Sequence, residues 1–310
     1  MKRRTRTLSR NRLSLAANLL VTFLVVAFCL GPLFWVVSTS FKSMGAEYLL
    51  PPELWPSKPT LQAYRTILGL PAPAGDDESA AGGAFQSAKS IESPTHLQFV
   101  RPILNSLIVS SAVTVGALLT SALAAYAISR LRFRWKIQSL LLLWVGGLLP
   151  AVMVIYPTFV LMRTFGLLRT LPSMILPNIA YNIPLATWLL AVYFSLLPWE
   201  LEDAAKVDGY RPHQIFWRVI LPLAAPGMFS AGVFAFLGSW GEFMLASVVT
   251  MGVAEVQTVP VAILNLSFEY RYQWTWVSAA IVLSVGLMVL IALIFQRWVI
   301  QGLTAGSVKY

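Results

Sequence analysis

Residues 276–296 read WVSAAIVLSVGLMVLIALIFQ, from Trp276 to Gln296, without one charged side chain. Wound as an α-helix at 1.5 Å per residue, such a run covers about 31 Å, close to the hydrocarbon thickness of a bilayer. Five further runs share its character: Leu13–Val37, Ile103–Ser129, Ile137–Leu161, Ser173–Leu196 and Gly227–Met251. In lipid only a helix or a closed barrel satisfies every backbone N–H and C=O, and these runs lack the apolar/polar alternation of barrel strands. The expected fold is all-α, a polytopic membrane protein with six transmembrane helices.

Composition agrees. Of 310 residues, 57% are AVILMFWYC and 12% are DEKR, against about 25% charged in soluble domains. Mean hydropathy is +0.70. The net charge of +10 could point to nucleic acid, but the cations cluster at the ends of apolar runs, which is a topology signal. The lone cysteine, Cys29, lies in the first run and excludes an intrachain disulfide; packing accounts for it.

The first run follows a basic leader, residues 1–12, with Lys2, Arg3, Arg4, Arg6, Arg10 and Arg12. It is too long for a signal-peptide core of about 7–15 residues and leads into Trp35, so it reads as a retained anchor helix over 13–37. With the N-terminus inside, the cytoplasmic pieces hold fifteen Lys and Arg, and the short opposite loops hold Arg163, Arg169 and Arg271. Both termini are thus expected in the cytoplasm. The long connection 38–101 becomes an extracytoplasmic loop, and its stretch 71–93, rich in Ala, Gly, Pro and Ser, reads as a mobile insertion. Residues 102–300 then form a core of five spans with a loop at 198–226, and 301–310 form a cytoplasmic tail. No fixed-period repeat interrupts this plan.

Catalytic signatures are missing. The sequence has no G-x-x-x-x-G-K-[ST], no H-E-x-x-H and no G-x-S-x-G. Its two histidines, His96 and His213, lie outside the spans and with one cysteine make no metal cage. Glu242 is the one clear intramembrane acid, whereas ion-coupled carriers usually place several ionisable groups at mid-membrane.

The loop between the fourth and fifth spans reads PWELEDAAKVDGYRPHQIFWRVILPLAAP over residues 198–226. Glu200, Glu202 and Asp203 fall in a first helical turn, where carboxylates complement the positive end of the helix dipole, and Gly209 provides a permissive break. A second short helix starts near Arg211 with Pro212 in its first turn. Ile215, Phe216, Val219 and Ile220 recur at helical spacing on one apolar face. Two short helices around a glycine make a stiff lever that another protein can push.

Here the sequence resembles the membrane subunits of bacterial ABC importers, whose signature loop is E-A-A-x3-G-x9-I-x-L-P. Asp203, Ala204, Ala205, Gly209, Val219, Leu221 and Pro222 fall on that pattern, with Asp203 in place of Glu and Val219 in place of Ile. Further features are similar to sugar permeases related to the second subunit of maltose and trehalose transporters. They are Ser40-Phe41-Lys42, Asn105-Ser106-Leu107, Ala125-Tyr126-Ala127 with the basic Arg130–Arg134 turn, Gly166-Leu167-Leu168-Arg169-Thr170, Trp240-Gly241-Glu242-Phe243 and the tail Gly302–Lys309.

The resemblance implies a bacterial inner-membrane subunit paired with a homologous permease, two cytoplasmic ATPases that bind ATP and Mg, and an extracytoplasmic sugar-binding protein. The chain itself would hold no cofactor or metal and no catalytic residue. Coupling to the ATPases would fall to Glu202, Asp203, Ala204, Ala205, Asp208, Gly209, Phe216, Leu221 and Pro222. The tail reads as a further ATPase contact or as a frayed terminus. For the solute path, Asn178, Tyr181 and Asn182 lie one turn apart between Pro177 and Pro184, and Trp240 and Glu242 join them as candidates. Amides and a phenol suit a polyhydroxylated ligand; interhelical bonding to the partner permease is the alternative. A charged Glu242 at mid-bilayer would cost about 2.5–3.5 kcal/mol, so it should face a cavity or partner, as a ligand group, a gate or a binding-protein contact. The competing cargo is a polyol such as glycerol phosphate, and the competing classes are a self-sufficient carrier and a membrane scaffold or receptor.

Overall fold

A computed structural model describes residues 2–48, 50–70, 99–269 and 273–304, and these are mostly helical with no strand among them. The 71–93 insertion and residues 305–310 of the tail lie outside the described residues. The chain divides into two compact units, residues 1–97 with 266–283, and residues 98–265 with 284–310.

In the first unit, α1 (Lys2–Ser40) takes in the basic leader as well as the expected anchor. From residue 18 to Trp35 its side chains are exposed, with Phe23, Phe28 and Phe34 among them. Such an apolar surface is compatible with lipid or a partner helix, not with water. Just past it, Ser38, Thr39, Ser40 and Lys42 are buried in a polar knot. Ser40 shares a 2.7 Å hydrogen bond with Tyr64 of α2 (Gln62–Ile67), and the Thr60 N–H donates to the Phe41 carbonyl at 2.8 Å. The Lys42 ammonium sits 4.3 Å from the centre of the Trp35 ring. The Ser40-Phe41-Lys42 motif thus pins the following loop to the end of α1.

The second unit is built on α3 (Val100–Arg130) and α6 (Pro172–Leu196), packed through small residues. A side chain at Gly116 would meet Ile179 at 2.5 Å, and the Ser121 hydroxyl donates to the Ile183 carbonyl. Small contact residues let helix backbones approach where no hydrophobic effect drives association. Pro177 and Pro184 stay inside α6, which remains one helix.

The third expected span is broken. Helices α4 (Lys136–Leu148) and α5 (Ala151–Thr164) meet at about 95° rather than forming one run over Ile137–Leu161. Leu149 precedes Pro150 and is extended, φ −64° and ψ 127°, as the proline ring requires of its predecessor. After α6 come α7 (Glu200–Val207), α8 (Pro212–Ile215), a π turn at Phe216–Ile220 and α9 (Leu221–Leu223). The fifth expected span, Gly227–Met251, is likewise two pieces, α10 (Ala225–Trp240) and α11 (Met244–Thr250), parted at Gly241–Phe243. Helix α12 (Val259–Glu269) and α13 (Trp274–Thr304) complete the chain, so the start of the expected tail continues the last helix. Among the described residues four helices are long and apolar enough to span, and up to six spans result if α4 with α5, and residues 212–223 with α10, each cross once.

Candidate functional site: an elbow and a cavity

The 198–226 loop folds as a two-armed elbow. Its first arm, α7, opens with Glu200, Glu202 and Asp203 and ends in a Schellman motif, in which the Gly209 N–H donates to the Lys206 carbonyl and the Tyr210 N–H to that of Ala205, each at 3.0 Å. Gly209 takes φ +83°, the left-handed conformation that glycine adopts without penalty. The second arm begins at Pro212, where the Arg211 N–H donates to the Gln214 side-chain oxygen at 2.8 Å and fixes its first turn. That arm then bends by 77° into α10.

The two faces of the elbow differ. Inward, Ala205, Ile215, Phe216 and Ile220 are buried with Ala125, Leu190 and Phe194 in one apolar cluster, and Phe216 lies against Tyr126 with ring centres 5.1 Å apart. Outward, Asp203, Ala204, Asp208, Gly209, Trp217 and Pro222 are exposed, and Val207 is 88% exposed. Leu221 is half-buried between the faces. Asp203 pairs with Lys206 at 2.8 Å, which raises the lysine pKa above its ordinary value. Both groups are largely exposed, so the pair adds little to stability.

Of the residues assigned to ATPase coupling, Glu202, Ala205 and Phe216 are buried on the inner face. Glu202, only 4% exposed, turns to Arg130 at the end of α3, itself 5% exposed, with Oε1 3.3 Å from Nε. That separation makes an ion pair, although its angle falls short of a hydrogen bond. Arg130 also donates through Nη2 to the carbonyls of Phe194 and Leu197 at the C-terminal end of α6, and its guanidinium lies 4.5 Å from the centre of the Trp199 ring. In the sequence Arg130 reads as a topological charge and as the start of the basic Arg130–Arg134 turn, with no partner assigned. The signal that could have shown more is a cation in the last turn of an apolar helix, followed at a distance by an acid-rich turn.

Farther along α6, a cavity of about 220 Å³ is lined by Asn178, Tyr181 and Asn182, by Glu242 and Gly238, and by Thr158 of α5. The proposed polar trio and Glu242 thus share one wall space. The amides are partly engaged: Asn178 Nδ2 donates to the Met174 carbonyl and Asn182 Nδ2 to that of Asn178. Trp240 stands apart, buried, with its Nε1–H toward the Ser284 hydroxyl at 3.3 Å. Glu242 acts as a cap: its carboxylate accepts the N–H of Leu245 at 2.7 Å and of Ala246 at 3.0 Å, closing the N-terminus of α11 across the break in the span. The loop beyond α11 is held by the Asn105-Ser106 pair. Asn105 donates to the carbonyls of Glu255 and Gln257, and the Ser106 hydroxyl accepts the Val259 N–H.

A family model described as "Binding-protein-dependent transport system inner membrane component" matches residues 116–305, which takes in both the elbow and the cavity wall. The chain belongs to that family. The permease is 36% identical to the trehalose transport system permease protein SugB of Mycobacterium tuberculosis, over 92% of this chain and 94% of the relative. It is 32% identical to the trehalose/maltose transport system permease protein MalG of Thermococcus litoralis, over 92% and 94%. It is 34% identical to the sulfoquinovosyl glycerol permease protein SmoH of Agrobacterium fabrum, over 90% and 89%. A chain from the crystal structure of a bacterial ABC transporter importing the polysaccharide alginate matches in fold at a TM-score of 0.70 and 21% identity, covering 93% of this permease and 97% of that chain. The chain is therefore an inner-membrane transport permease and not an enzyme.

Proposed function

We propose that this permease is one of two membrane-spanning subunits of an ATP-driven importer for a sugar, an oligosaccharide or disaccharide of the trehalose and maltose class. Its relatives named for such cargo support the sugar reading. The elbow carries the mechanism. Its outer face is exposed and its inner face is locked to α3 and α6, as a part needs to be that is pushed from one side and moves helices on the other.

Two ATPase subunits, each binding ATP and Mg, dock on the elbows of this permease and its homologous partner, and an extracytoplasmic binding protein delivers the sugar. Both termini and the elbow face the cytoplasm. Nucleotide-driven closure moves the elbow, and the spans switch between inward-open and outward-open packings as rigid bodies. The cavity supports a half-site. Its volume of about 220 Å³ is below the roughly 300–1,000 Å³ usual for a small-molecule site, so a second permease would complete it. Asn178, Tyr181 and Asn182 supply the amide and phenol groups a polyhydroxylated ligand needs.

Co-expression with the second permease, the ATPase and the binding protein tests this reading. The expected result is a stoichiometric complex whose reconstituted form takes up trehalose or maltose only with ATP. A permease that transports alone, or a complex without an ATPase, would overturn it. The relative named for sulfoquinovosyl glycerol favours glycerol glycosides as the second cargo to assay.

A further inference from the structure

Arg130 meets three separate pieces of chain with one guanidinium. It ends α3, bonds two carbonyls at the end of α6, and pairs with Glu202 of α7. One turn earlier on the same face of α3, Tyr126 packs against Phe216 of the second arm with the rings tilted by 57°. Both arms of the elbow are thus fixed to the last two turns of α3, the first by charge and the second by ring contact. A planar guanidinium with five donors can serve several acceptors at once, which an ammonium on a flexible stem does less well. Glu202 and Arg130 are both buried, so sliding the arm past α3 would leave a charge unpaired out of water, a costly state. The arm cannot move without taking α3 and α6 along.

The other half of α6 lines the cavity. Asn182 lies twelve residues before Phe194, about 18 Å along the helix axis. We propose that Arg130 is a positioning residue that ties the first arm of the elbow to α3 and to the inner end of α6, so that a push on the elbow arrives at the cavity wall as a shift of both helices. This rests on the ATP-driven reading above and specifies how force enters the spans.

The test uses the full complex with its ATPases and binding protein, reading assembly, ATP hydrolysis and sugar taken up per ATP hydrolysed. A group that merely held the fold together would lower the amount of complex and leave that ratio unchanged. Arg130→Gln is expected to retain the ATPases and their hydrolysis while uptake per ATP falls at least tenfold. Arg130→Lys, which keeps the charge but not the fork, is expected to fall in between. Should Arg130→Gln fail to accumulate, the double variant R130M/E202L removes both buried charges, and its uptake per ATP is expected to be at least tenfold low. A ratio within twofold of wild type in assembled Arg130→Gln or R130M/E202L overturns the proposal. A wild-type complex that shows no ATP-driven uptake overturns the underlying reading instead, and is seen before any variant is made.

Discussion

Gly209 is the hinge on which the elbow turns, and its replacement gives a graded prediction. Its φ of +83° costs an L-residue roughly 1–2 kcal/mol. An added Cβ would meet nothing within 4 Å, so the whole cost of Gly209→Ala is backbone strain and none of it is collision. An energy of that size shifts the balance between the bent elbow and relaxed alternatives by about 5–30-fold. Gly209→Asn should cost less, because asparagine tolerates the left-handed region. Gly209→Pro should cost most: its ring holds φ near −65° and removes the N–H that bonds Lys206, worth a further ~0.5–1.5 kcal/mol. In reconstituted complexes, uptake per ATP should therefore fall in the order Gly, Asn, Ala, Pro, while the permease still inserts. Equal coupling across the series, or an alanine variant better coupled than asparagine, would refute the strain argument.

Other positions give narrower expectations. Charge reversal at Asp203, exposed on the outer face, should leave insertion intact but uncouple ATP hydrolysis from uptake; unchanged uptake would remove this face from its role. Gly227→Ala places a methyl 2.5 Å from the Tyr193 ring and should destabilise the complex by about 1–3 kcal/mol, seen as a lower Tm, with recovery in the double variant Y193L/G227A. Glu242→Ala removes the cap of α11 and should cost roughly 0.5–2 kcal/mol, with Glu242→Gln losing less because one acceptor remains. Equal Tm losses for the two would argue against a capping carboxylate. Asn182→Leu should raise the KM for sugar with ATP hydrolysis little changed, and an unaltered KM would take this side chain out of the solute path.

Much of this architecture is legible because lipid leaves few choices. The apolar runs, the acidic opening of α7, the Gly209 break and Pro212 in a first turn all carry local chemistry that needs no tertiary information. The breaks within spans were harder to see. Pro150 follows the end of α4 while Pro177 and Pro184 are absorbed inside α6; Gly146 and Gly147 weaken the helix before Pro150, and α6 has no such glycine pair. The direction in which a side chain points was also hidden. Glu202 and Asp203 are adjacent acids, yet one turns to a buried arginine 72 positions earlier in the chain and the other to solvent. The sequence places Glu242 toward a cavity or partner but does not show it as a cap, because the break that creates the two N–H groups it caps cannot be seen in an unbroken apolar run.

The claim that the elbow receives force from an ATPase is tested most directly by a cysteine at Val207, the most exposed apolar position of the first arm, in a complex otherwise lacking reactive cysteines. The account predicts that Val207→Cys cross-links to the co-purified ATPase and reacts with a membrane-impermeant thiol reagent only from the cytoplasmic side. Labelling from the outer side, or no cross-link in an assembled and active complex, would contradict it.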